Sequence, residues 1–258
     1  PRLCRDWSSD VCSSDLPLLK KLLWIIAILN VVAVIGTYSR GGFIGLSIIA
    51  IAAWLKSNRK VIWLLLAALC LPVLYQKTPE EWRERQATVK TAATEDESFI
   101  GRLWAWKISA LIALEDPLTG GGYKAVTDPV LWRYHAPFTP NFGPVNTPMI
   151  PEDLAPKAAH NIYMQVLGDH GFLGLLLFLI ILAKCFFTNW FNINKAKQLQ
   201  LDWLQNFCGA LNVSIIGYGV TGLNVSLAYF DLIYAIFGMV VVTCYLLSLE
   251  KLNLRVQQ

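Results

Sequence analysis

The sequence predicts an all-α polytopic membrane protein with about six transmembrane helices and one large loop outside the membrane. The chain is 55% hydrophobic and only 16% charged, whereas soluble domains carry about 25% charged residues. Its basic residues flank long apolar runs and form no stripe suited to nucleic acid. The cysteines of these runs have no ligand-like spacing and are interpreted as ordinary apolar residues: Cys70, Cys185, Cys208 and Cys244.

The first residues are set aside from the fold prediction. The chain begins with Pro1, and Asp6–Leu16 reads DWSSDVCSSDL, which is the translation of a DNA adapter used in sequencing libraries. We therefore predict that residues 1–16 are a translated artefact joined to a truncated gene. The remainder would then be the C-terminal fragment of a larger helical bundle.

A long polar region separates two groups of three apolar runs. Residues 17–75 are predicted to hold three transmembrane helices, at Leu22–Thr37, Phe43–Leu55 and Val61–Tyr75. Residues 158–250 are predicted to hold three more, at Gly171–Phe187, Phe207–Leu223 and Ala228–Leu247. Most runs are shorter than the roughly 20 residues that a span needs, so they extend into interfacial flanks rich in Trp and Tyr.

The basic residues orient the bundle. If each run crosses the membrane once, the positive-inside rule makes one side cytoplasmic. That side carries Lys20, Lys21, Lys56, Arg59, Lys60, Lys184, Lys195, Lys197, Lys251 and Arg255. The tail 251–258 is then cytoplasmic, and the loop 76–157 faces the periplasm or the cell exterior. Arg40 is the isolated cation on that outer side.

The loop 76–157 is predicted to contain short helices. Phe99–Glu115 has helical character, with Ser98 as a cap at its start. Pro117 and the run Gly120–Gly122 end this helix. Because apolar residues surround most of it, we expect it to pack onto the bundle or lie on the membrane.

The composition of the second half of the loop predicts a less regular structure. Prolines recur with Asn and Thr between Pro129 and Pro156, which favours an extended, irregular segment over helix or strand. Lys157–Leu167 is predicted to restart a helix, which breaks at Gly168–Gly171. One side of that helix would carry His160, Tyr163, Met164 and Leu167.

Three side chains would face the outer compartment together: Arg40, Arg102 and His160. Guanidinium groups stay charged and hold a diphosphate through bidentate hydrogen bonds. A histidine near neutrality takes a proton from a hydroxyl as that hydroxyl attacks. The set suits transfer from a lipid diphosphate donor, with three neighbours as supporting residues: Asn161, Tyr163 and Trp106.

Each of these residues also has a plainer interpretation. Arg40 would contact lipid headgroups at a span end, Arg102 would pair with the acidic residues before it, and His160 would be structural at a helix start. His170 is interpreted as structural or interfacial, and His135 has no partner visible in the sequence. The spacing of the histidines, without further Cys or His, predicts no metal site, and no cofactor is predicted.

Three motifs occur in a fixed order along the chain. They are Ser39-Arg40-Gly41-Gly42 after a span, Gly101–Trp106 with Asp116–Tyr123 downstream, and Ala159–Leu167 leading into Gly171–Gly174. The chain resembles the O-antigen ligase/O-antigen polymerase superfamily in these motifs and in the long loop between its spans. Within that superfamily it is most similar to O-glycosylation ligases associated with exosortase systems. The resemblance covers residues 22–247.

The resemblance implies a class-C glycosyltransferase-like fold in the bacterial inner membrane and a transfer without metal or cofactor. A glycan would pass from undecaprenyl diphosphate to a hydroxyl of a glycolipid, a growing glycan or a protein. Arg40 and Arg102 would hold the diphosphate, and His160 would activate the acceptor hydroxyl. The family has about twice as many spans as are predicted here, so we expect an incomplete enzyme.

Other functions remain open at this point. A polysaccharide polymerase of the same superfamily is the nearest alternative. A transporter or channel subunit would use the loop as a gate or to dock a partner. It would need ionisable residues within spans, for which Asp231 near a span end is the main candidate. A structural membrane scaffold would make Arg40, Arg102 and His160 dispensable.

Overall fold

The regular structure is entirely helical over the part of the chain that the structure describes. This computed structural model describes residues 17–37, 39–57, 59–61, 65, 68–69, 72 and 97–256. The helices are α1 (Pro17–Gly36), α2 (Arg40–Lys56), α3 (Glu97–Glu115), α4 (Pro129–His135), α5 (Ile162–Gln198), α6 (Asp202–Thr221) and α7 (Asp231–Val256). The predicted adapter translation, most of the predicted third span and the start of the loop lie outside the described residues.

The turn between α1 and α2 is shorter than the sequence predicts. The side chain of Ser39 caps α2 by accepting a hydrogen bond from the Gly42 N–H at 3.4 Å, so the helix already begins at Arg40. A β-carbon added at Gly41 would lie 3.4 Å from Asn224 Cβ, and one added at Gly45 would lie 2.9 Å from Thr221 Cγ2. These glycines therefore let α2 approach the end of α6 closely.

Helix α3 forms the core of the region outside the apolar helices. It ends at Glu115, as predicted, but it begins at Glu97, so that Ser98 lies inside the helix and is not its cap. Its Ala105 and Ile108 are fully buried. Trp132 of α4 packs into the same apolar cluster. Helix α3 also contacts α5, so of the two predicted arrangements, packing onto the bundle or lying on the membrane, the structure has the first.

Helix α4 corrects the prediction of an irregular segment between Pro129 and Pro156. The Asp128 carboxylate accepts hydrogen bonds from the N–H groups of Val130 at 2.8 Å and Leu131 at 3.0 Å. Pro129 occupies the first helical turn, where its missing N–H costs nothing. A 3₁₀ turn follows at Ala136–Phe138, and residues 139–156 contain no helix or strand, as predicted.

Helix α5 is interrupted where the sequence predicts a break. Gly171 has φ 66° and ψ −169°, a conformation that is essentially restricted to glycine. The glycine loop after α3 docks there: Gly121 N–H donates to Gly168 O at 2.9 Å, and Phe172 N–H donates to Pro117 O at 2.8 Å. These bonds satisfy backbone groups that the break releases, and they fix α3 to the start of α5.

Replacement of Gly171 by alanine is expected to lower the melting temperature of the purified protein in detergent. The new Cβ would lie 2.5 Å from Pro117 O at a backbone conformation that L-residues avoid, which costs about 1–3 kcal/mol or more. Gly209→Ala in α6 is the matched control, because nothing lies within 4 Å of its added Cβ. Equal melting temperatures of the two variants would contradict the docked break.

Buried polar side chains tie α5 to α6 and α7. Asn189 Nδ2 donates to Asn212 Oδ1 of α6 at 3.1 Å, and Asn192 Nδ2 donates to Thr243 Oγ1 of α7 at 3.0 Å. All four side chains are buried. Hydrogen bonds of this kind fix neighbouring helices within an apolar environment. They hold α5 in place and with it the segment that precedes its first turn.

Within the described ranges, two helices have the length and composition needed to cross a membrane, namely Ile162–Gln198 and Asp231–Leu254. The apolar helices Lys21–Gly36 and Gly41–Leu55 are shorter. Large apolar side chains such as Leu176 on α5 are more than half exposed, a surface that suits lipid better than water. The last run starts later than predicted, at Asp231, because residues 228–230 belong to the preceding loop. The count of six spans stays a prediction.

Candidate active site

Arg102 and His160 line the same pocket. This pocket of about 360 Å³ lies between the first two turns of α3 and the segment before α5, and its lining residues are Ser98, Gly101, Arg102, Lys157, Ala158 and His160. The two predicted site residues are 58 positions apart in sequence by their numbers. The docking of the α3 region against the start of α5 brings them together.

His160 lies before helix α5 and not on it, which corrects the predicted helix Lys157–Leu167. Helix α5 begins at Ile162, and Asn161 caps it by accepting hydrogen bonds from two backbone N–H groups of the first turn. His160 has a φ of 45°, in the left-handed region that only a few per cent of non-glycine residues occupy. It therefore sits at a sharp bend that points the chain into the helix.

Long-range hydrogen bonds hold this bend in place. The Ser226 hydroxyl accepts the His160 N–H at 2.7 Å. The indole N–H of Trp106 donates to the carbonyl of Ala159 at 2.6 Å. Because both partners come from other elements, the backbone of His160 is fixed from two directions.

The predicted supporting residues act on the backbone around His160. Trp106 and Asn161 make the contacts just described, and both lie outside the set of pocket-lining residues. The Tyr163 hydroxyl donates to Gly219 O of α6 at 2.8 Å, which ties the first turn of α5 to the bundle. Their positions support a role in positioning His160.

The electrostatics of the pocket favour a neutral imidazole. Partial burial lowers the pKa of His160 below its usual 6.5, and the nearby positive charge of Arg102 lowers this pKa further. A neutral imidazole can accept a proton at physiological pH. The Nε of Arg102 is buried and has no hydrogen-bond partner among the described residues, so its hydrogen-bonding capacity is unused there.

The structure describes the position of Arg40 through its backbone alone. It is the first residue of α2, and the description of the structure does not extend to its side chain. The next residue, Gly41, lies close to Asn224, which is two positions before Ser226. The start of α2 therefore adjoins the loop that holds His160, and a contact of the Arg40 guanidinium with the pocket stays a prediction.

The other two histidines lie away from the pocket lining. His170 is exposed, and its ring packs edge-on against Tyr229 with centroids 5.7 Å apart. His135 is buried, and its Nε2 lies 3.5 Å from a carboxylate oxygen of Glu115. Burial lowers the pKa of His135 although Glu115 opposes the change. This partner, 20 positions away by number, could not be seen in the sequence.

Sequence reasoning missed two residues of this region, Lys157 and Ser226. Lys157 is only three positions before His160, and its proximity was the available signal. Ser226 gives no local signal, because only the fold brings its loop to His160. In the described part of the chain, no group of three His, Cys, Asp or Glu side chains could hold a metal ion.

A larger groove lies at the far end of the bundle. It measures about 870 Å³ between the C-terminal parts of α5 and α7, and Lys195 and Lys251 are among its lining residues. None of the predicted site residues lines it, and it has no histidine or carboxylate to act as a base. The smaller pocket is therefore the candidate active site.

Comparison with known proteins agrees with the resemblance that the three sequence motifs indicate. Neither the curated proteins nor the solved structures contain a match to the chain. A family model described as O-antigen ligase matches residues 25–179, which is more than half of the chain and includes Arg40, Arg102 and His160. The chain therefore belongs to the O-antigen ligase family, whose members are membrane proteins with ligase- or polymerase-type activity on glycans.

Proposed function

We propose that the protein transfers an oligo- or polysaccharide from an undecaprenyl-diphosphate carrier to an acceptor hydroxyl on the periplasmic face of the bacterial inner membrane. The observation that carries this proposal is the shared pocket of Arg102 and His160. It combines a cation for the diphosphate with a neutral base for the hydroxyl.

The transfer can be written with these groups. The acceptor oxygen attacks the sugar carbon that is linked to the diphosphate, while the imidazole of His160 takes the hydroxyl proton. The bond between that carbon and the diphosphate oxygen breaks, and the lipid diphosphate leaves with the electron pair. Arg102 stabilises the charge that develops on the leaving group. Arg40 would add a second guanidinium from the start of α2.

The arrangement of the helices supports a periplasmic site. Helices α2, α5 and α7 all start on the pocket side, and their last turns or flanks carry Lys56, Lys195 and Lys251. From Phe172 to Lys195, α5 rises about 35 Å, which exceeds the roughly 30 Å of a bilayer core. Helices of this length would put the basic ends across the membrane from the pocket, and the positive-inside rule favours the cytoplasmic side for those ends.

The proposal is tested in a strain whose own O-antigen ligase gene has been deleted. Expression of the complete gene should move glycan from undecaprenyl diphosphate onto an acceptor, detected by gel electrophoresis and mass spectrometry of lipid and protein fractions. A single transferred glycan identifies a ligase, whereas a ladder of lengthened chains identifies the polymerase alternative. Glycan that stays on its carrier in cells with normal membrane levels of the protein would contradict both.

A further inference from the structure

Lys157 brings a second cation into the pocket beside Arg102. A β-carbon added at Gly101 would lie 3.5 Å from Lys157 Cγ, so the aliphatic part of Lys157 passes over α3 one residue from Arg102. Both side chains line the pocket, although one comes from the helix and the other from the segment before α5. Two segments that lie far apart in the sequence therefore bring positive charges into one pocket.

Among the described residues, the lining of the pocket carries no negative charge that would compensate the two cations. None of these six lining residues is acidic, and the Nε of Arg102 has no hydrogen-bond partner among the described residues although it is buried. A cleft lined by charge of one sign concentrates ions of the opposite sign. A ligand that brings two separate anionic groups would meet both cations.

We infer that Lys157 binds one phosphate of the lipid-linked donor while Arg102 binds the other. This inference rests on the function proposed above. A guanidinium forms paired hydrogen bonds with one phosphate, whereas an ammonium acts as a compact charge that accepts a less defined geometry. The pocket therefore selects a diphosphate over a monophosphate, since the monophosphate leaves one cation without a partner.

Binding to the full-length protein in lipid nanodiscs tests this inference. The probes are undecaprenyl diphosphate and undecaprenyl monophosphate, and the variants are Lys157→Met, Lys157→Arg and Arg102→Gln. Lys157→Met should weaken binding of the diphosphate about tenfold, the loss expected for one charge-assisted hydrogen bond. The monophosphate should lose about twofold or less, and Lys157→Arg should restore most of the preference for the diphosphate.

Arg133→Met is the matched control, because Arg133 is an exposed cation of α4 outside the pocket lining. Unchanged diphosphate binding by Lys157→Met, together with weakened binding by Arg102→Gln, would overturn the role of Lys157 and leave the proposed function intact. Unchanged binding by both variants would overturn the pocket as the donor site. Equal losses for both probes in Lys157→Met would exclude selection of the diphosphate by this residue.

Discussion

Replacement of His160 by alanine is expected to reduce glycan transfer by about 10²–10⁴-fold while the protein remains in the membrane at its normal level. General-base catalysis by a positioned imidazole contributes a factor of this size. The imidazole lies at the end of a bend that Ser226 and Trp106 hold through the backbone, and alanine leaves that backbone intact. Transfer is measured with purified protein, a lipid-linked donor and the acceptor identified in cells.

His170→Ala is the matched control for this variant. His170 is another histidine near the start of α5, but it packs against Tyr229 and does not line the pocket. Its replacement should leave transfer within about threefold of the wild-type rate, because it has no part in the chemistry. If His160→Ala retained full transfer, or if both variants lost it equally, His160 would not be the base.

Replacement of Arg102 by glutamine is expected to have two separable effects. Loss of a paired, charge-assisted interaction with phosphate should lower kcat/KM by about a hundredfold. The second effect is a shift of the pH dependence. With His160 as the base, transfer should fall at acidic pH, where His160 is protonated, and the positive charge of Arg102 helps to lower the pKa of His160. Without that charge the pKa rises, so activity is lost at a higher pH than in the wild type.

The measurement is the pH profile of kcat/KM, which reports the ionisation of the free enzyme. The pKa should rise only part of the way to its usual 6.5, because partial burial, the larger cause of its depression, remains. Arg133→Gln should leave both the rate and the profile unchanged. A variant with lower kcat/KM and an unshifted acidic limb would place Arg102 at the donor without electrostatic contact to His160.

The sequence predicts some element boundaries well because their causes are local. Helix α3 ends at Glu115, where a proline and a glycine run follow, and α5 breaks at Gly171, which adopts a glycine conformation. Helix α4 was missed because the density of prolines outweighed the cap that Asp128 makes directly before Pro129. The pair Asp128–Pro129 is therefore the local signal for the start of α4.

The start of α5 was misplaced for a different reason. The residues Lys157–Asn161 have the composition of a helix start, but other parts of the molecule hold them in another conformation. Trp106 binds the carbonyl of Ala159, and Ser226 binds the N–H of His160. These partners lie 53 and 66 positions away, and no periodicity near residue 160 indicates them. Tertiary hydrogen bonds therefore overrode the local helical preference.

The sequence by itself determined the helical class, the apolar runs and the identity of Arg102 and His160 as candidates for diphosphate and proton chemistry. These follow from hydropathy and side-chain chemistry, which each residue carries wherever it lies. The tertiary structure alone decided that the two residues share a pocket, that Lys157 joins them and that His160 sits at a bend. Such convergence depends on contacts between distant segments, chiefly the docking of Gly121 on the broken start of α5, and a linear pattern does not record those contacts.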